Sequence, residues 1–346
     1  MIKKLISVLQ VASAFIGTIV GAGFASGKEI IQFFTQYQIN GTLGAIFSGV
    51  LMTWAGTKMM IYARRIGAYS FNELVIHIFG ERLGTAIQAL VFFVILGITG
   101  VMLAGAGAVF QEQLDWHRQI GIVLALVVSF LFLLKGIRGL LWINTLVVPM
   151  LAAFVLTVFL GRGAAPDAVW LTGNIKWLPA ALSYASFNML TALVVLVPLA
   201  KETEDETVLW LGGLLGGAGL GLILILAHFL LLGAPESAGF EMPMADIVRH
   251  FGPLIHIGFV AVIFGEILTT FIGNIFGLAR QLRSTFPLIP NMRAAIFILF
   301  IGAFLISQAG YGSLIRTLYP LFGVLCVAIV LCMLWIRLPK RGNGGD

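Results

Sequence analysis

Three short segments place polar or backbone chemistry inside apolar runs. The first reads Gly17-Thr18-Ile19-Val20-Gly21-Ala22-Gly23-Phe24-Ala25-Ser26-Gly27 and is followed at once by Lys28-Glu29. Each glycine costs a helix about 1 kcal/mol relative to alanine and lets a ligand or a second backbone come close. A helix that unwinds here frees carbonyl oxygens, which suit a hard cation, and amide N–H groups, which suit a carboxylate. Tight helix packing is the other use of such glycines. The second segment is Ala181-Leu182-Ser183-Tyr184-Ala185-Ser186-Phe187-Asn188-Met189. Ser183, Tyr184, Ser186 and Asn188 can hydrogen-bond either a neighbouring helix or a solute, and Tyr184 and Phe187 can either cover a ligand or fill a core. The third is Glu266-Ile267-Leu268-Thr269-Thr270. Glu266 is the acid set furthest inside an apolar run, where an ionisable group is costly unless paired or hydrated. It could carry a proton, hold a cationic group of a solute, add charge beside a bound cation, or brace a buried threonine.

Other chemistries find no support. There is no His-Glu-x-x-His pattern, no phosphate-binding glycine loop and no nucleophile with a base beside it. The five histidines are scattered, and His228 and His256 read as packing residues. Cys326 and Cys332 lie in one apolar run and form neither a disulfide framework nor a metal pattern. An enzyme is not expected, nor any organic cofactor.

The elements that position these residues follow from composition. Of 346 residues, 60% are hydrophobic and 10% charged, against about 25% charged in a soluble domain. Lipid must therefore solvate most of the exterior. The formal charge of +6 does not signal nucleic acid, because the cations sit at the edges of apolar runs. A crossing helix needs about 20 apolar residues, and ten stretches qualify, near 5–36, 40–63, 82–111, 118–135, 139–161, 176–200, 207–232, 252–280, 291–309 and 312–337. Ser70-Phe71-Asn72-Glu73 is a capping box that predicts a short interfacial helix before the third span. The polar connection 233–250, with Pro235 and Pro243, predicts a lid helix. With the N-terminus inside, fourteen Lys and Arg fall on the cytoplasmic side against five (Arg118, Arg162, Lys176, Arg249 and Arg316) on the other, Lys28 and Lys58 being left out as too near the spans. That bias predicts a multi-pass protein of the bacterial inner membrane with both termini cytoplasmic.

The interruptions fall in the first and sixth of ten spans. The chain, 1–346, thus reads as one transmembrane domain made of two five-span blocks, 5–161 and 176–337. An odd number of spans per block turns the second block over. Paired breaks at matching places of inverted repeats point to the binding site of a transporter.

The run Val20-Gly21-Ala22-Gly23-Phe24-Ala25-Ser26-Gly27-Lys28-Glu29-Ile30 closely resembles the first-helix signature of the bacterial YkvI-like membrane proteins. That family in turn resembles the amino acid–polyamine–organocation superfamily, whose architecture is the LeuT fold. The resemblance implies an all-α integral membrane protein with ten transmembrane helices in two inverted five-helix repeats, helices 1 and 6 being broken. It also implies a central solute site between the first, third, sixth and eighth spans. The residues placed there are Gly21, Ala22, Gly23, Phe24, Ala25, Ser26, Ser183, Tyr184, Ser186, Phe187, Asn188 and Glu266, with Gly100, Gly105 and Gly107 giving room. By the same resemblance a sodium ion would be held by the carbonyls of Gly17, Val20 and Glu266 and the hydroxyls of Thr269 and Thr270. Residues 140–160 contain no Lys or Arg, unlike many proton-coupled relatives, and Phe24 stands where some relatives use asparagine for a second sodium.

The expectation is a secondary active transporter, a sodium-coupled symporter of an amino acid or similar zwitterion working by alternating access. Its partners are that small solute and the lipid bilayer, with no nucleic acid. Proton coupling through Glu266, and a ligand-sensing receptor on the same fold, remain open. Lys28 and Glu29 are expected either to gate the outer side or to pair with their neighbours.

Overall fold

The computed structural model describes residues 2–135, 150, 153, 155–156, 159–160, 175–203, 205–286 and 288–339. The fifth expected span, 139–161, lies almost wholly outside the described residues. The other nine are helical. The first span is three pieces, α1 (Ile2–Ile19), α2 (Ala22–Ser26) and α3 (Lys28–Phe33). The second is α4 (Asn40–Ile66), and α5 (Phe71–Gln113) joins the interfacial helix to the third span across Gly80, whose φ of 77° and ψ of 169° kink the chain. The predicted capping box starts α5. The Ser70 side chain accepts from the Glu73 N–H, and the Glu73 carboxylate accepts from the Tyr69 N–H at 2.9 Å. The fourth span is α6 (Arg118–Lys135). Then come α7 (Trp177–Glu202), α8 (Glu206–Leu232), the short helix α9 (Pro243–Arg249) within the connection 233–250 where a lid was expected, α10 (Pro253–Thr285), α11 (Met292–Ser307) and α12 (Tyr311–Trp335). Five of the described helices are long and apolar enough to cross a bilayer on length and composition alone: those in Phe71–Gln113, Trp177–Glu202, Glu206–Leu232, Pro253–Arg283 and Tyr311–Trp335. The exterior is apolar, with Trp54, Phe93, Leu222, Ile298 and Trp335 among the exposed side chains. This is a multi-pass membrane protein.

One expectation fails. The sixth span is not broken: α7 runs as one helix from Trp177 to Glu202. No glycine interrupts it. Pro179 stands in the first turn, where its missing N–H would have had no partner, so only Pro198, near the other end, removes an internal hydrogen bond. Two of the polar side chains bond back along the helix. Asn188 Nδ2 donates to the Tyr184 carbonyl at 3.0 Å, and the Thr191 hydroxyl donates to the carbonyls of Phe187 and Asn188, each at 3.0 Å.

Packing divides the helices into two groups. The most extensive contacts join α1, α4, α7 and α8 to one another, and a second set joins α5 to α6, α10 and α11. The glycines of α8 permit the first. A Cβ at Gly216 would lie 2.9 Å from the Ala12 carbonyl of α1, and one at Gly217 would lie 2.7 Å from Thr53 Cα of α4. Small residues let helix backbones approach this closely. The helix α12 touches both groups, packing on α7 and α5.

Candidate functional site

The first span breaks twice. Val20 N–H is the last to donate into α1, to the Ile16 carbonyl at 2.9 Å, and Gly21 is extended with φ −129° and ψ −170°. This end frees carbonyls from the last turn of α1 and amides from the first turn of α2. The second break is Gly27, whose φ of 84° is left-handed and disfavours any side chain. Ser26 Oγ accepts from the Lys28 N–H at 3.2 Å and lies 2.8 Å from the Tyr311 hydroxyl. Ala22, Gly23, Phe24, Ala25 and Ser26 are all buried.

The residues expected to hold a cation converge in part. The helices α2 and α10 pack together. A Cβ at Gly21 would lie 3.9 Å from the Thr270 hydroxyl oxygen and 3.8 Å from Met102 of the third span. The Thr269 hydroxyl donates to the Glu266 carbonyl at 3.1 Å, so those two expected ligands are bound to each other. Glu266 is 1% exposed, and its Oε1 has no hydrogen-bond partner among the described residues. Carbonyl and hydroxyl oxygens form a hard donor set that fits sodium and not a transition metal. No group of three or more His, Cys, Asp or Glu that could hold a metal occurs among the described residues.

The sixth-span residues are distributed differently from expectation. Tyr184 and Phe187 face the C-terminal end of α3. The Tyr184 ring lies 4.9 Å from Phe34 and 5.3 Å from Phe33, and the Phe187 ring lies 5.1 Å from Tyr319. Ser183 instead packs on α12, where a Cβ at Gly323 would come within 3.0 Å of its backbone. Asn188 is occupied within its own helix, and Ser186 Oγ is buried without a partner among the described residues. Of the third-span glycines, Gly105 meets Tyr311 of the site, whereas Gly100 meets Ile306 and Gly107 meets Ile122 as packing contacts. His228 is a packing residue, bonded to Thr35 and Thr42 at 3.1 Å each.

Glu29, Tyr311 and Tyr319 were not among the expected solute ligands. Lys28 turns outward, donating to the lid carbonyls of Phe240 at 2.5 Å and Ala238 at 3.4 Å. Glu29 turns inward. It is 4% exposed, folds over Gly23, and is hydrogen-bonded by Tyr319. The signal was present in the spacing of Tyr311 and Tyr319, eight residues apart and so near one face of α12. The lid itself is pinned by Glu112 at the end of α5, whose carboxylate accepts from the N–H groups of Glu241 at 2.8 Å and Met242 at 2.7 Å.

Known proteins share this chain's sequence and shape. Over 340 residues it is 38% identical to the membrane protein YkvI of Bacillus subtilis, covering 97% of each chain. The chain belongs to the YkvI-like membrane protein family. A second relative of the YkvI-like proteins, YyaD of Bacillus subtilis, is 25% identical over 325 residues, which is 92% of this chain and 94% of that protein. No family model matches the chain. Among solved structures, a substrate-bound outward-open Na+-coupled sialic acid symporter superposes with a TM-score of 0.67 at 11% identity, covering 95% of this chain and 79% of the other. The inward-facing form of Mhp1 superposes with a TM-score of 0.62 at 14% identity, over 94% and 75%. At these identities the likeness concerns fold, and the YkvI-like fold is that of the LeuT-type transporters.

Proposed function

We propose that this YkvI-like protein is a secondary active transporter that couples a small zwitterionic solute, such as an amino acid, to sodium. The observation that carries the reading is the approach of the broken first span, at Gly21, to the Thr270 hydroxyl of α10. One cation bridging α2 and α10 would tie the two packing groups together and so bias their relative position. A ligand shifts such an equilibrium only by its differential affinity for the two states, and here the cation would be fully held only when the groups meet. The division into α1, α4, α7 and α8 against α5, α6, α10 and α11 supports rocking-bundle alternating access. In this reading the five-span blocks are inverted repeats, both termini are cytoplasmic, and the lid closes the outer side. Solved structures of the same fold include Na+-coupled transport, as the sialic acid symporter shows for itself.

Proton coupling is the second reading, favoured by the buried and partly unpartnered carboxyl of Glu266. Thermal unfolding in sodium against choline chloride at equal ionic strength separates the two. A ligand of the folded state stabilises by RT ln(1 + [L]/Kd). A sodium-specific rise that is lost in Thr269→Ala and Thr270→Ala is the expected result. A protein indifferent to sodium, with a pH response abolished by Glu266→Gln, transfers the coupling to protons.

A further inference from the structure

Glu29 sits just beyond the left-handed Gly27, buried in a closed aromatic chamber wall formed by side chains of three spans that are packed against one another. Tyr319 hydrogen-bonds one carboxyl oxygen, and Oε2 has no partner among the described residues. The Tyr184 hydroxyl, fully buried within electrostatic reach of Glu29, has no partner either. Among the described residues no salt bridge joins Glu29 to a Lys, Arg or His. Its neighbour Lys28 is committed to the lid. The remaining wall is aromatic: the rings of Phe33, Phe34, Tyr184, Phe187 and Tyr319 form a connected set with centroids 4.9 to 5.8 Å apart. Buried polar groups left bare are costly, and proteins retain few without a use for them.

We propose that Glu29 and the Tyr184 hydroxyl form the subsite for a protonated amine, with the body of the amine against Phe33, Phe34 and Phe187. The reading of the protein as a transporter enters only in taking this amine to be part of the transported solute. An ammonium group brings what the chamber lacks. Its charge balances the carboxylate, and its N–H groups donate to Glu29 Oε2 and to the Tyr184 oxygen. Aromatic faces attract a cation through their quadrupole and shelter its alkyl or aryl portion. An anionic solute would meet a carboxylate with no positive side chain facing it. The rings are in contact, so the ligand parts them on entry. Gly23 lies under the carboxyl and Gly27 in a left-handed turn beside it.

The test uses the purified full-length protein and three matched probe sets: ethylamine, alanine and propionate; isoamylamine, leucine and isocaproate; phenethylamine, phenylalanine and hydrocinnamate. Thermal shift gives Kd for each at neutral pH. At least one amine or amino acid is expected to raise Tm while its amine-free acid does not, and Glu29→Gln is expected to weaken that binding by about thirtyfold or more. Tyr184→Phe, which keeps the ring, is expected to weaken it about fivefold, and it carries the test if Glu29→Gln does not fold. Equal amine binding by wild type and Glu29→Gln overturns the proposal, as does a shift produced by the acids alone or no amine-dependent shift at millimolar concentration. Counterflow in proteoliposomes distinguishes the two levels. Amine binding through Glu29 without counterflow retains the subsite and rejects transport. Counterflow of a solute that Glu29→Gln carries equally well retains transport and rejects the subsite.

Discussion

A methyl group at position 23 would occupy the space of the Glu29 carboxyl. Gly23→Ala is therefore expected to fold with Glu29 displaced and to reproduce the ligand-binding loss of Glu29→Gln, read by the same thermal shifts. At the edge of the membrane, the Lys4 ammonium at 2.8 Å and the Thr207 N–H at 2.8 Å hold the Asp205 carboxyl down from its ordinary 3.8 to about 2. A depressed carboxyl stabilises the folded state above its unfolded pKa, and this is lost as pH falls through the folded value. Between about pH 4 and pH 2 the wild type should thus lose stability that Asp205→Asn never had, which unfolding midpoints across that range will show. Residues of this kind were unevenly legible. Glu266 stood out as an acid in an apolar run, and Thr269 and Thr270 were singled out by the family resemblance. Glu29 did not, because adjacency to Lys28 suggested that the two would act at one place. The left-handed turn at Gly27, a matter of backbone rather than composition, lets one reach the lid while the other enters the core.

Helices repeat the lesson with a different cause. Gly17–Gly27 announced a broken helix, and the break is there, since glycine weakens a helix whatever surrounds it. The cluster 183–188 announced a second break that did not form: no glycine weakens the helix there, and Asn188 bonds back to the Tyr184 carbonyl of the preceding turn. Glycine in α8 has a consequence for packing. Gly217→Ala would press a Cβ against Thr53 Cα and should cost about 1–3 kcal/mol. Gly277→Ala on α10, with nothing within 4 Å of the new Cβ, should be neutral or slightly stabilising. Thermal unfolding of the two variants gives the comparison. The lid offers another test. Glu112→Ala removes the acceptor of two lid amides, so hydrogen exchange at Glu241 and Met242 should accelerate by roughly tenfold or more.

At the scale of the molecule, span positions followed from hydropathy because lipid demands them, and the described helices match those expected. Which helices would move together did not follow from hydropathy; the expectation that the first, second, sixth and seventh spans rock against the rest came from the transporter reading, and α1, α4, α7 and α8 are the helices that pack as a group. The two packing groups make a prediction about motion. Spin labels at Val50 and Leu222, exposed on α4 and α8, lie in one group, and a label at Ile298 on α11 lies in the other. Adding sodium or a bound solute should leave the Val50–Leu222 distance unchanged and alter the Val50–Ile298 distance, as measured by pulsed dipolar spectroscopy.

The ion pair Lys4–Asp205 ties α1 to the N-cap of α8, and Arg65–Glu206 ties α4 to its first turn. Both lie wholly within one of the two groups, and neither crosses to the other. Raising ionic strength screens them, so salt should lower the resistance of the protein to heat. Because both pairs lie within one group, breaking them should not by itself alter the Val50–Ile298 distance, which spin labels read as choline chloride is raised.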